Sequence, residues 1–189
     1  ALTQTTDLMP TLLDIAGLAI PPDVTGHSLM PVLGGEDGKR DSVIFGYFGA
    51  AVNVFDGRYS YFRYPAVSGA ESLHEYTLMP TRMTTRFSIR DLLGATLHPS
   101  FSFTKGVPVL KLDPKTDYEG QPVEVQGMGF EDWQSALYDL ETDPGQTTPL
   151  NNSEIETHLC QKIIANMARL DAPQEAYWRF GLQARGETA

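Results

Sequence analysis

The chain has 189 residues, of which 41% are hydrophobic, 10% aromatic and 20% charged, enough for one full core or for a domain with an appendage. These proportions exclude a disordered tail, a collagen-like repeat and a coiled coil, and no apolar run approaches the ~18 residues that would cross a membrane. With 24 acidic and 14 basic residues the net charge is −10, which repels phosphate backbones and weighs against nucleic acid as a partner.

The first predicted element is a helix over residues 6–16. Thr6 is placed to cap it, Asp7 sits where the helix dipole favours an anion, and Pro10 falls within the tolerant first turn. Leu8, Met9, Leu12 and Ile15 make one apolar face and Gly17 supplies the stop. So short a helix with so rich a face is expected to dock on something larger. It starts almost at once, with no initiator Met, basic region or apolar leader before it, which predicts a chain that begins in mid-fold. Residues 19–40 hold Pro21-Pro22, Gly26, Pro31, Gly34-Gly35 and Gly38, a loop with one helical turn beginning at Ser28.

Strands are predicted over 42–48, 51–55 and 58–64, the last two joined at the Asp56-Gly57 turn. Residues 65–129 are the least regular, with a strand near 75–79, a short helix near 88–95 and an apolar strand at 107–112. A strand at 136–140 ends in the turn Asp143-Pro144-Gly145. The next helix is the best defined. Ser153 is its predicted cap with Glu156 completing a capping box, and Ile155, Leu159, Ile163, Met167 and Leu170 form its stripe. A second short helix after Asp171 carries Tyr177, Trp178 and Phe180. The sum is an α+β fold, a small antiparallel sheet of about four strands packed against a long C-terminal helix.

Chemistry is sparse along this chain. There is no Gly-x-Ser-x-Gly elbow and no Gly-rich loop followed by Lys-Ser/Thr. The single cysteine, Cys160, can form no internal disulfide, fixes no compartment, and lies beside the apolar stripe of the long helix, where a thiol is a small buried hydrophobe. His27, His74, His98 and His158 are scattered without metal-ligand spacing. Arg82, Arg86, Arg90 and Lys105 fall close together, near His74, Tyr76 and His98. They could grip a sulfate, phosphate or carboxylate, or be solvated charges paired with the many acids. Asn151-Asn152-Ser153 is formally a glycosylation sequon, although Ser153 is better explained as the helix cap.

Four segments carry a family resemblance. Thr5-Thr6-Asp7-Leu8-Met9-Pro10-Thr11-Leu12-Leu13-Asp14-Ile15-Ala16-Gly17 resembles the Asp-Leu-x-Pro-Thr-Leu-Leu-x-Leu-Ala-Gly helix of sulfatases. Gly26-His27-Ser28-Leu29-Met30-Pro31-Val32-Leu33-Gly34-Gly35 is similar to the Gly-x-Ser-Leu-x-Pro-Leu-Leu-x-Gly that follows it in that family. Leu137-Tyr138-Asp139-Leu140-Glu141-Thr142-Asp143-Pro144-Gly145, running on to Leu150, resembles the family's closing Leu-Tyr-Asp-Leu-x-x-Asp-Pro signature, and Phe180-Gly181-Leu182 resembles a Leu-Gly-Leu near its end. The resemblance implies the C-terminal portion of a sulfatase of the alkaline-phosphatase-like superfamily. Residues 1–40 would then be the last helix and linker of the α/β catalytic domain, and residues 41–189 the C-terminal subdomain, with 66–105 an irregular insertion.

In that family a formylglycine made within Cys/Ser-x-Pro/Ala-x-Arg and a divalent metal, usually calcium, held by an Asp-Asp pair and a later Asp-Asn or Asp-His pair, carry out catalysis in the preceding domain. Cys160 is followed by Gln161-Lys162-Ile163 and no Asp-Asp pair is present, so the resemblance gives this chain no catalytic or metal-ligating residue and predicts that alone it is inactive. Its expected partners are the N-terminal catalytic domain of the same protein and a sulfated small molecule or glycan. His74, Arg82, Arg86 and Lys105 are the candidates for gripping the substrate. Two other readings stay open: a phosphonate or phosphodiester hydrolase of the same superfamily, and a stand-alone interaction or oligomerisation module. Exposure of Leu8, Leu12 and Ile15 would favour a piece that docks on another domain.

Overall fold

The computed structural model describes residues 1–47, 49–66, 73–79, 81, 85–114 and 134–183. The helices are α1 (Leu8–Ile15), α2 (Met30–Leu33), α3 (Ile89–Leu93), α4 (Ser153–Arg169) and α5 (Gln174–Arg179), and the strands are β1 (Val43–Gly46), β2 (Val52–Phe55), β3 (Tyr59–Arg63), β4 (Glu75–Thr77), β5 (Thr96–His98), β6 (Val109–Leu112) and β7 (Ala136–Asp139). The fold is α+β, as the sequence predicts. Among the described residues no helix is long and apolar enough to cross a membrane.

The chain divides into two compact units. The first comprises Ala1–Gly46, Val52–Arg63 and Ser135–Asn166. Its sheet runs β1-β2-β3-β7, antiparallel throughout. In register, Ile44 faces Val54, Val54 faces Tyr61 and Tyr61 faces Leu137, so these four line one row across the sheet. Val54, Tyr61 and Leu137 are fully buried, as are Leu159 and Ile163 on α4. The Tyr61 hydroxyl donates to Glu156 Oε2 at 3.4 Å, which puts α4 over that face. On the opposite face Phe45, Phe62 and Tyr138 pack edge to face. At the hairpin Gly57 has φ 103°, which an L side chain resists, while Asp56 Oδ1 accepts from the N–H groups of Arg58 and Tyr59.

The Asp143-Pro144-Gly145 turn has a local cause. Asp143 Oδ2 accepts from the N–H groups of Thr147 and Thr148, both at 2.8 Å. The chain therefore reverses, and Leu150 N–H donates to the Leu137 carbonyl at 2.7 Å beside β7.

The predicted caps of two helices are corrected. Asn152, not Ser153, caps α4: its Oδ1 accepts from Glu154 N–H at 3.1 Å and Ile155 N–H at 3.2 Å. Ser153 is already the first helical residue, and Glu156 points to Tyr61 instead of closing a capping box. Ahead of α1 a 3-10 turn, Thr5–Asp7, displaces Thr6 from the cap position, and the Asp7 carboxylate takes the Gln4 N–H instead.

The second unit comprises Tyr47–Ala51, Tyr64–Gln134 and Met167–Ala189. It contains a three-stranded antiparallel sheet in the order β4-β6-β5. The sequence suggests β4, α3 and β6, but not β5 or the 3-10 turn Ser102–Thr104. Ser88 caps α3, accepting from Asp91 N–H at 3.2 Å while Asp91 returns a bond to Ser88 N–H at 2.8 Å. Val109, Leu112, Met167, Tyr177 and Leu182 are buried here. The buried Arg179 donates from Nη2 to the Gly49 carbonyl at 2.7 Å.

Candidate functional site

Two constellations stand out, one in each unit. In the first unit, polar side chains of α1 and of the 3-10 turn before it clip the loop that follows. Asp7 is 1% exposed, and its carboxylate accepts from His27 N–H at 2.9 Å, Gln4 N–H at 2.8 Å and Arg40 Nη2 at 2.5 Å. Burial pushes this carboxyl up, but the Arg40 guanidinium and the two backbone donors outweigh it and hold it below the usual carboxylate range. One turn on, Thr11 Oγ1 donates to the Asp7 carbonyl and accepts from Leu29 N–H at 2.9 Å. Another turn on, Asp14 accepts from the Ser28 hydroxyl at 2.5 Å. At Gly26 a Cβ would lie 2.0 Å from the Thr6 carbonyl oxygen, so only glycine fits.

The clip ties two separated segments of sequence together: Asp7, Thr11 and Asp14 of the first have partners in the loop or at Arg40. It also orients α1. Asp7, Pro10 and Thr11 turn inward, while Leu8 (59%), Leu12 (66%) and Ile15 (62%) stand exposed, with Met9 and Leu18 beside them. Nearby, an open hollow of about 480 Å³ has Asp37, Asp56, Phe55 and Arg40 in its lining. Arg40 is committed to Asp7, so the hollow suits an anionic ligand poorly.

Of the residues predicted to grip substrate, His74, Arg86 and Lys105 fall in the second unit. His74, half-buried ahead of β4, has Nδ1 3.3 Å from the Leu112 carbonyl. Arg86 is exposed and forms an isolated bridge with Thr81. Lys105 is exposed with φ 54°, just after the 3-10 turn. Arg82 lies outside the described residues. His74, Arg86 and Lys105 thus stand on three separate segments.

No sequence pattern links the side chains that do converge here. Tyr76 and Lys111 are register partners on β4 and β6, and both bond to Glu175 Oε1 of α5: Tyr76 donates its hydroxyl proton and Lys111 Nζ lies 3.1 Å away. Burial pushes the Tyr76 phenol up and Glu175 adds to the shift. Burial also pushes Glu175 up, yet the Tyr76 hydroxyl and the Lys111 ammonium win and hold it low. The His98 and Phe101 rings meet Tyr76 edge-on at 5.0 and 5.4 Å, and Phe101 and Phe103 stack at 5.3 Å with 8° between planes. Glu175 is 64 residues from Lys111 and 99 from Tyr76, a distance at which no local pattern signals a pair.

Neither constellation fits the metal or nucleophile of a sulfatase. Among the described residues no three His, Cys, Asp or Glu side chains are grouped to hold a metal ion. Burial pushes the Cys160 thiol up, away from the reactive thiolate.

No family model matches the chain. No curated protein matches it either. Among solved structures, the chain is similar to a 2-O GAG sulfatase, at 20% identity and a TM-score of 0.43 over 87% of this chain and 24% of that one. A Bacteroides thetaiotaomicron protein assigned as a sulfatase gives 20% identity and a TM-score of 0.46, over 95% of this chain and 27% of the other. A third, a Bacteroides thetaiotaomicron structure described under the metabolism of multiple glycosaminoglycans, gives 16% and 0.48, over 93% and 28%. This chain spans about a quarter of the length of each.

Proposed function

We propose that this chain is the C-terminal part of a sulfatase, a sulfuric ester hydrolase, and works joined to an N-terminal catalytic domain of the same protein. One observation carries the proposal: Leu8, Leu12 and Ile15 are exposed on a helix whose other side is fastened by Asp7, Thr11 and Asp14. Holding apolar side chains in water forfeits roughly 25 cal/mol for each Å² that burial would remove, and a helix so clipped cannot turn its face inward. An apolar sheet from a preceding domain would cover it. Residues 1–40 would be the last helix and linker of that domain, and residues 41–189 a subdomain walling the substrate cleft, with 66–105 inserted in it.

In this arrangement the nucleophile, a formylglycine, and the calcium that polarises the sulfate would come from the catalytic domain. The present chain would complete the fold and select substrate. His74, Arg82, Arg86 and Lys105 would hold an anionic group remote from the scissile sulfate, the arginines through paired N–H donors. Replacing each by Ala in the intact enzyme should raise KM and leave kcat, and unchanged kinetics would remove that residue from the proposal.

The decisive experiment reads the coding DNA upstream of Ala1. An in-frame extension with Cys/Ser-x-Pro/Ala-x-Arg and an Asp-Asp pair is the expected result. A start codon immediately before Ala1 would overturn the proposal and favour a free interaction module. A nucleophile in other surroundings would point to a phosphonate or phosphodiester hydrolase of the superfamily. In the continuous protein, Leu12→Asp should then abolish soluble, active enzyme, whereas in the chain alone it should reduce self-association.

A further inference from the structure

The three-stranded sheet of the second unit has β5 at one edge and β4 at the other, and among the described residues no strand pairs with the outer side of β5. One contact gives the direction of its backbone groups. The Leu112 carbonyl lies 3.3 Å from Nδ1 of His74, the residue just before β4, so Leu112 aims its hydrogen-bonding groups at β4. These groups alternate sides along a strand: Lys111 and Val109 aim theirs at β5, and Leu110 again at β4. The register pairs Lys111 with Thr96, Val109 with His98 and Leu110 with Leu97. Thr96 and His98 are therefore bonded to β6, while Leu97, at the centre of β5, turns its N–H and C=O to the open edge. Leu97 is also 75% exposed, and Ile89 and Leu93, one turn apart on α3, are each 81% exposed. Only Gly94 and Ala95 separate α3 from β5. Within Thr96–His98 there is no Lys, Asp, Glu or Pro of the kind that keeps sheet edges apart, whereas β4 carries Glu75.

We propose that β5 pairs antiparallel with β5 of a second copy of this chain, about a two-fold axis at Leu97, so that two three-stranded sheets join into one of six. Symmetry names the occupant. One outward-facing residue at the middle of a strand presents one donor and one acceptor, and its own copy turned by 180° presents the matching acceptor and donor. The two Leu97 residues thus exchange two hydrogen bonds. A longer foreign strand gains nothing more, because the next outward positions are Ala95, whose N–H is already given to the Leu92 carbonyl at 3.2 Å, and Pro99, which has none. A net charge of −10 holds copies apart on most faces, but β5 brings no carboxylate to the axis. Withdrawing Leu97 from water against its mate, with Ile89 and Leu93 close by in the chain, supplies the apolar contact. So few side chains fall short of the ~800 Å² on each side of a standard interface, which makes the pair reversible. The contact is separate from the α1 face and asks for no catalytic domain.

The test is sedimentation equilibrium of the full chain carrying Leu12→Asp, so that association through the α1 face, on which the sulfatase proposal rests, is not counted. The expected result is a monomer–dimer equilibrium at micromolar concentrations that Leu97→Lys weakens at least about tenfold, since it sets like charges opposite each other at the axis. A chain that stays monomeric throughout, or that dimerises equally well as Leu97→Lys, overturns the proposal. Cysteine cross-linking in a Cys160→Ser background reads the axis itself. Two Leu97 Cα atoms would lie about 5.5 Å apart, within disulfide reach, and two Thr96 Cα atoms more than about 7 Å apart, beyond it. Under mild oxidation Leu97→Cys should form covalent dimers about tenfold more readily than Thr96→Cys. Equal cross-linking of the two exposed positions overturns the two-fold pairing.

Discussion

The clip around Asp7 and the aromatic cluster around Tyr76 are both built by side chains reaching between segments, yet they differ in span. In the clip, Asp7, Thr11 and Asp14 engage partners 14 to 33 residues away, and each partner lies in a short, Gly- and Pro-punctuated segment. In the cluster, Tyr76 and Lys111 meet a residue 99 and 64 positions on. A compact motif fixes its own geometry, so its residues are constrained in type and spacing. A pair assembled by distant elements needs only compatible chemistry.

The largest effects should come from breaking the clip. Asp7→Ala would strand the Arg40 side chain, itself 6% exposed, and removing one member of such a buried pair costs about 3–5 kcal/mol. Gly26→Ala should do comparable harm by driving a methyl into the Thr6 carbonyl. Urea midpoints of the two variants check both. An effect of Asp7→Ala below about 1 kcal/mol would mean the helix is held by something other than the clip.

The same carboxylate gives the clip a pH dependence. Its value is depressed in the folded state, so the stability it contributes is fully present above the unfolded value near ~3.9 and is lost as pH falls through the folded value. Asp41, Asp139 and Asp143 are depressed as well, so the whole chain should weaken in acid. The difference between wild type and Asp7→Asn isolates the clip: it should stay constant from neutral pH to about pH 5 and shrink below about pH 4.

This contrast also explains what could be read beforehand. The four-stranded sheet, its hairpin and α4 follow from alternation, a turn pair and a four-residue stripe, all local signals. The helix α1 is equally plain, and its apolar face, read as a docking surface, is indeed turned outward. β5 escapes because Thr96–His98 is three residues long and a 3-10 turn, not a hairpin turn signal, stands between it and its partner β6. The basic residues 82–105 are neighbours in sequence, whereas Lys111 and Glu175 meet in space, and a long-range ion pair leaves no periodic trace.

Cutting into the aromatic cluster should cost less than the clip. Glu175→Gln keeps an acceptor for Tyr76 but removes the charge paired with Lys111. Both side chains are partly exposed, 18% and 25%, so solvent screening limits the loss to about 1 kcal/mol. The Tyr76 phenol offers a second readout. Glu175 adds to an upward shift set first by burial, so in Glu175→Gln its ultraviolet titration should move down toward the ordinary tyrosine range without reaching it.

The smallest effect tests where α4 begins. Two adjacent residues, Asn152 and Ser153, are both good caps by type, and sequence alone favours Ser153 because Glu156 stands three residues later. The geometry assigns the cap to Asn152, whose Oδ1 holds the N–H groups of Glu154 and Ile155, and gives Glu156 to Tyr61 on the sheet face beneath α4. Asn152→Ala should therefore cost about 1 kcal/mol. Ser153→Ala, at the first helical position, should fall within about 0.5 kcal/mol of wild type. If the two losses came out reversed, Glu156 would be free to close a capping box, and its bond to Tyr61 would have to be given up.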